Sequence, residues 1–258
     1  MTDKFTRIVY EVIQDADVII EVLDARDPLG TRSPKLEKII QNYPDKKLIL
    51  FLNKADLVPY KIIKEWIRYL SKEYPTFYGS DRFGYKRTIT FLKRKITKLM
   101  DKTPIRVCLV GYPNVGKSSI INALRKKKVA PVSPLAGFTR GKKYIKLESV
   151  NILLMDTPGI IPYKSENELE LVIKGAIRPD KISDVQSAIE KIFSLVKKED
   201  LEKIYNIKFE SIEQFLSDLA KKRGRLLPKG IPDIDTISRI IIKDFQRGKI
   251  PYYKKPPN

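Results

Sequence analysis

Gly111-Tyr112-Pro113-Asn114-Val115-Gly116-Lys117-Ser118 is a GxxxxGKS loop, and its reading decides the fold. The glycines let backbone N–H groups wrap an oligophosphate, the lysine reaches the outer phosphates, and the serine hydroxyl can hold magnesium. Such a loop works between a strand and a helix. Arg106-Val107-Cys108-Leu109-Val110 enters it as a short apolar, β-branched run, and Ser119-Ile120-Ile121-Asn122-Ala123-Leu124 leaves it with helical spacing.

Two further motifs stand at strand ends. Leu48-Ile49-Leu50-Phe51-Leu52 delivers Asn53-Lys54-Ala55-Asp56, and Asn151-Ile152-Leu153-Leu154-Met155 delivers Asp156-Thr157-Pro158-Gly159. Three motifs at three strand ends meet the rule for ligand sites in open α/β sheets. Together NKxD, phosphate loop and DxxG are the parts of a guanine-nucleotide site. An ordinary GTPase places the phosphate loop first and the base-reading NKxD last. Here Asn53 precedes Gly111. The expected fold is therefore α/β: a circularly permuted P-loop GTPase with a doubly wound, mostly parallel sheet, followed by a smaller all-α domain.

Each motif residue has an expected role. Asp56 accepts hydrogen bonds from the N1 and N2 donors that guanine has and adenine lacks, so a wrong base leaves a carboxylate unpaired. Asn53 braces the loops around the base, and the Lys54 stem lies along its face. Gly79-Ser80, after the short strand Thr76-Phe77-Tyr78, stands where related sites offer a backbone N–H to the guanine O6, although the usual Ser-Ala is replaced. Lys117 clamps the phosphates beside the loop residues Asn114, Val115, Gly116 and Ser119. Ser118 ligates magnesium directly and Asp156 through water. The Gly159 amide faces the γ-phosphate, and Thr139, in Gly137-Phe138-Thr139-Arg140, completes the magnesium shell. The expected ligands are GTP or GDP with Mg2+, and Lys117, Asn114, Thr139 and Gly159 form the expected catalytic set.

Composition narrows the class. At 258 residues the chain can form one or two domains. No apolar run is long enough to cross a membrane and the first residues lack a signal-peptide core, so a soluble, cytoplasmic monomer is expected. The single Cys108 reads as a small buried hydrophobe. The absence of histidine excludes histidine bases, histidine-bearing zinc sites and serine–histidine triads. Lys and Arg number 51 against 31 Asp and Glu, a formal charge of +20. Residues 1–164 hold 32 basic and 16 acidic residues and residues 165–258 hold 19 and 15, giving +16 and +4. Such an excess favours a polyanionic partner, because each neutralised phosphate releases counterions. A solubilising surface is the alternative for any single cluster.

Along the chain, helices are expected over 5–16, 35–42 and 60–72, with the Pro28 to Pro34 segment as a loop. Residues 86–101 carry Ile89, Leu92, Ile96 and Leu99 as one apolar stripe, with Lys86, Arg87, Lys93, Arg94, Lys95 and Lys98 mostly on the remaining surface. Residues 126–142 read as a switch loop, and 143–148 with 151–155 as a hairpin. Beyond Glu166 strand signals vanish. Helices are expected over 168–177, 182–197, 198–205, 211–223 and 234–247, and an extended segment over 251–257. The domains are placed at 1–164 and 165–258.

The order NKxD, P-loop, DxxG, preceded by Asp24-Ala25-Arg26-Asp27-Pro28, resembles the circularly permuted GTPases of the YlqF/RbgA family. Characterised members act in assembly of the large ribosomal subunit. The resemblance covers nearly the whole chain and implies GTP hydrolysis, a C-terminal helical domain of RNA-binding character, and rRNA or a pre-ribosomal particle as partner. The stretch from Ile240 to Lys249 is similar to the family's closing segment. Asp24 to Pro28 matches its DARxP signature, whose chemistry does not follow from sequence; Asp24 or Asp27 could simply cap the next turn. Bacterial members carry a Gly-His-Met stretch with a histidine implicated in hydrolysis, and nothing equivalent occurs here. The residue after DxxG is Ile160, which cannot orient water as the glutamine of Ras-like enzymes does. Asn114 occupies the position that ligates a monovalent cation in related potassium-activated GTPases; alternatively it only shapes the loop. Slow intrinsic hydrolysis, with potassium stimulation under the first alternative, is expected. Because the chain after DxxG runs into the helices, the segment that senses the γ-phosphate is also their tether. Two other classes compete: a GTP-regulated protein adaptor that does not bind RNA, and an RNA-modifying GTPase, for which the helical tail offers no nucleophile or cysteine pair.

Overall fold

The computed structural model describes residues 4–125, 143–147, 151–156 and 166–257. The chain divides into two compact units, one of Met1–Tyr163 with Lys254–Asn258 and one of Lys164–Tyr253.

The first unit is built on β1 (Val18–Asp24), β2 (Lys47–Asn53), β3 (Thr76–Tyr78), β4 (Ile105–Val110), β5 (Lys143–Leu147) and β6 (Ile152–Asp156). They form one sheet in the order β3-β2-β1-β4-β6-β5. Every pairing is parallel except the β5–β6 hairpin, in which Ile145 stands opposite Leu154. β4, which feeds the phosphate loop, lies inside the sheet. Strands earlier in sequence extend from it to one edge, and later strands to the other. Traced from β4 this is the ordinary GTPase order; traced from β1 it is the permuted one.

β1 is buried along its whole length and β2 along nearly all of its own. Continuous Val/Ile/Leu runs suit strands covered on both faces, where alternation would leave polar groups stranded. The covering helices are α1 (Lys4–Asp15), α2 (Pro28–Thr31), α3 (Pro34–Gln41), α4 (Tyr60–Leu70), α5 (Lys86–Leu99) and α6 (Lys117–Arg125). In α5 the stripe buries Ile89, Leu92 and Ile96, while Leu99 is only half-buried. The segment from Pro28 to Pro34, read as a loop, instead contains the one-turn α2. Asp27 accepts the Gly30 amide at 2.9 Å and Pro28 starts the turn with its φ already set.

One acid interrupts β1. Glu21 is fully buried and accepts the Ser33 amide at 2.7 Å, which pins the start of α3. Burial, reinforced by the neighbouring Glu37 charge, pushes its carboxyl well above the usual range.

The second unit contains α7 (Glu168–Ile173), α8 (Val185–Leu195), α9 (Lys198–Tyr205), α10 (Ile212–Lys222) and α11 (Ile234–Gln246). α11 packs against α8 and α10, burying Ile237, Ile241, Ile242 and Phe245. Phe215 is the centre of an aromatic cluster with Phe193, Tyr205 and Phe209, at ring separations of 4.7–5.5 Å. α7 stops four residues before the expected 177, because Gly175 adopts φ +69 and its neighbour Ala176 closes the turn onto Leu171.

The tail returns to the first unit. The Lys254 amide donates to the Arg26 carbonyl at 2.8 Å, the Trp66 indole donates to the Lys254 carbonyl at 2.9 Å, and the Lys254 ammonium lies 2.6 Å from Asp27.

Candidate guanine-nucleotide site

Parallel pairing brings the C-terminal ends of β1, β2, β3 and β4 to one edge of the sheet. Asp24 stands opposite Asn53, Leu52 opposite Tyr78, and Glu21 opposite Val110. The phosphate loop leaves this edge in a conformation that needs its glycines. Gly111 has φ +150, and a Cβ there would meet the Val22 carbonyl at 2.5 Å. Gly116 has φ +96, and a Cβ there would lie 2.0 Å from the Asn53 amide nitrogen. Asn114 takes φ +61 between them. The loop ends at the first turn of α6, whose leading N–H groups have no partners within the helix.

Asn53 connects the motifs. Its Nδ2 donates to the Val115 carbonyl at 2.8 Å, while its Oδ1 accepts the Tyr85 hydroxyl at 2.7 Å. Burial pushes the Tyr85 phenol up to about 12. Lys117 directs its ammonium to the Gly111 and Tyr112 carbonyls at 2.8 and 2.7 Å. Burial lowers its pKa to about 8. Ser118 is exposed on the first turn of α6, and Asp56 is half-buried in a 3-10 turn, Ala55–Leu57.

The Gly79 N–H donates to Leu52 at 2.9 Å and its carbonyl accepts from Ala55 at 3.1 Å, so the strand uses both groups. Ser80 is fully buried, and its hydroxyl accepts the Phe83 amide. Asp156 closes β6, on the strand beside β4. Thr139, Gly159 and Ile160 lie outside the described residues, as does the switch loop over 126–142. Among the described residues, no three Asp, Glu or Cys side chains gather as a metal cage.

Asp24 acquires a chemical role that its sequence context withheld. Its carboxylate takes a two-pronged contact from Arg26, at 3.0 and 2.8 Å, and the Lys54 ammonium at 2.8 Å. Burial pushes its carboxyl up, but the charges of Arg26 and Lys54 outweigh this and hold it well below the usual carboxylate range. Lys54 itself sits at φ +60, so its backbone turns away from β2 just where its side chain meets Asp24. Tyr85 was not legible as a site residue, since it lies 32 positions from Asn53 in no recognisable motif. The strand-end position of Asp24 was the available signal for the other.

The family model described as 50S ribosome-binding GTPase matches residues 106–224. Nuclear/nucleolar GTPase 2 of Arabidopsis thaliana is 44% identical over 254 residues, covering 96% of this chain and 44% of its own length. Nucleolar GTP-binding protein 2 of Schizosaccharomyces pombe is 43% identical over 254 residues, covering 96% and 47%. The chain thus spans less than half the length of these two relatives. The crystal structure of GNP-bound YlqF from T. maritima superposes with a TM-score of 0.72 at 25% identity, covering 99% of this chain and 100% of that one. The GDP-bound form gives 0.69 at 25% identity, over 97% and 99%. No helix among the described residues is long and apolar enough to cross a membrane. In motif order, in strand order and over 99% of its length, the chain has the fold of the circularly permuted GTPases, to which YlqF belongs, and is similar to the nucleolar GTPases named above.

Proposed function

We propose that this chain binds and hydrolyses GTP and acts in assembly of the large ribosomal subunit, contacting rRNA or a pre-ribosomal particle in a nucleotide-dependent way. The observation that carries the reading is Asn53, whose amide ties the base-reading motif to the phosphate loop at Val115. A shared edge for NKxD and GxxxxGKS has one common chemical purpose, which is to hold base and phosphates of one ligand at once. The 50S description of the matching family and the nucleolar names of the relatives support the ribosomal part.

In this reading Asp56 selects guanine, with Asn53, Lys54, Gly79 and Ser80 shaping the base pocket. Asn114, Val115, Gly116, Lys117 and Ser119 hold the phosphates. Magnesium would be held by Ser118 directly, by Asp156 through water and by Thr139. Ser118 opening α6 and Asp156 ending β6 support this reading, since an ion held between such residues would spread phosphate charge. Gly159 answers to the γ-phosphate and passes its state to the helices. Hydrolysis is slow because Ile160 cannot orient water, and a potassium ion at Asn114 would supply the missing positive charge. The protein works as a monomer wherever large subunits are assembled: the cytoplasm of a cell without a nucleus, the nucleolus of one that has it.

Two measurements test the proposal. Asp56→Asn should weaken guanine nucleotides and improve xanthine nucleotides, whose 2-oxo group accepts from the new amide. An unchanged base preference overturns the nucleotide assignment. Co-sedimentation with ribosomal subunits should be stronger with a non-hydrolysable GTP analogue than with GDP. Absence of binding in every nucleotide state overturns the assembly role.

A protein adaptor is the second reading, favoured by one observation. Leu226, Leu227 and Ile231 are each about half exposed on the turn between α10 and α11. Binding to particles that survives nuclease treatment would support it.

A further inference from the structure

We propose that the groove between α4, β3 and α5 is a binding site for a single-stranded RNA segment, whose unpaired bases stack on Tyr60, Tyr78 and Phe91 while its phosphates run along the α5 cations. The proposal rests on the RNA-contacting reading above and gives it a place and a ligand class. The groove encloses about 710 Å³, within the range of sites that hold small ligands.

Its walls follow from the fold. β3 is an edge strand of only three residues, so the sheet ends there without covering the side chains beyond it. α5 buries Ile89, Leu92 and Ile96 against the core. Its residues 87, 91, 94 and 98 fall at i, i+4, i+7 and i+11, a second stripe on the same helix, and all four line the groove. Hence Arg87, Phe91, Arg94 and Lys98 stand in one row. Arg87 lies over the Phe91 ring at 5.9 Å. From α4, Tyr60 faces Tyr78 with ring centroids 6.4 Å apart and tilted by 53°.

Two properties select the ligand. The lining includes the cations Arg87, Arg94, Lys95 and Lys98 and no acidic residue, so it attracts a polyanion. Within it Tyr60 is 59% exposed, Phe91 49% and Tyr78 37%, large aromatic surfaces left in water. An acidic peptide would use the cations and leave the ring faces idle. A duplex keeps its bases stacked on one another and offers backbone and groove edges instead. Open bases on a charged backbone use both features, because every base has a face to stack and every link a phosphate to neutralise.

The test is fluorescence anisotropy with a labelled single-stranded RNA dodecamer of mixed sequence, the same strand in a blunt duplex, and polyglutamate as competitor, using the full chain. The single strand should bind at least tenfold more tightly than the duplex. Tyr60→Ala and Phe91→Ala should each weaken it roughly tenfold with an unchanged salt slope. Tyr60→Phe should restore binding. Arg94→Gln with Lys98→Gln should flatten the salt slope by about 0.7 for each phosphate no longer neutralised. Wild-type affinity in both aromatic alanine variants, preference for the duplex, or equal competition by polyglutamate overturns the groove assignment. If particle binding persists in these variants while single-stranded RNA is not bound by the wild type, the groove assignment fails and the assembly role stands. Failure of RNA and particles alike overturns both. Unchanged guanine-nucleotide affinity and circular dichroism establish that each variant is folded.

Discussion

The Asn53 side-chain nitrogen occupies the space that a β-carbon on Gly116 would need, at 2.0 Å. One residue away the same amide reaches the Val115 carbonyl at 2.8 Å. The base reader is thus wedged into the phosphate loop at a point where the loop has no side chain, which fixes the spacing of the two halves of the site. Gly116→Ala should therefore push Asn53 out and strain a φ of +96, destabilising the chain by about 1–3 kcal/mol. Guanine-nucleotide affinity should fall at least tenfold. Urea unfolding and fluorescence titration check the two effects. In combination with Asn53→Ala the stability loss should be less than additive, since removing the amide removes the collision.

Asp24→Asn should be more costly than its conservative shape suggests. The change removes the charge that the buried Arg26 and the Lys54 ammonium both contact. Breaking such a pair on one side costs about 3–5 kcal/mol. Because the folded-state pKa of Asp24 is depressed, its contribution is intact at neutral pH and is lost only as pH falls below the ordinary carboxylate range. Denaturation at pH 7 should therefore show the full difference between wild type and variant, and the difference should shrink on acidification.

Lys117 should make nucleotide binding depend on pH. Burial sets its pKa to about 8 in the free loop, and a bound phosphate favours the ammonium and raises it. Above pH 8 binding must then take up a proton, and affinity should decline as pH rises through that value. Near neutral pH and below, the lysine is charged in both states and no uptake follows from it. Calorimetry in buffers of different ionisation enthalpy reads this directly, and Lys117→Met should abolish both the uptake and most of the affinity.

Glu21→Gln should stabilise the chain at neutral and alkaline pH. The folded-state pKa of Glu21 is raised, so the folded form holds its proton more tightly and stability falls as pH rises above the unfolded value. Glutamine mimics the protonated acid and keeps an oxygen for the Ser33 amide. A gain on the order of 1 kcal/mol at pH 8 corresponds to about 2–4 °C in Tm for a chain of this size. At pH 4 the variant should show little gain. Thermal melts at the two pH values make the comparison.

These variants also mark what the sequence reveals by itself. Strands β1, β2, β4 and β6 announce themselves as apolar runs, because a strand buried on both faces has nowhere to place polar residues. The motifs at their ends follow from the same runs. The contacts that organise the site are of another kind. Tyr85 meets Asn53 across 32 positions, and Lys54 meets Asp24 across 30. Each is a single hydrogen bond between residues brought together only by parallel strand pairing, with no spacing rule to betray it. Gly79 shows the same limit at closer range, since the pairing of β3 with β2 decides that its amide belongs to the sheet.

The return of Lys254 to Arg26 and Trp66 has a mechanical meaning. Residues 164–253 form a loop of chain whose two roots both belong to the sheet unit. Tension applied between residue 4 and the tail is carried through β1, α2 and α4 and bypasses the helices until the Lys254 hydrogen bonds shear. A helical unit joined to one body at both of its roots is crossed by such a pull only after those bonds give way.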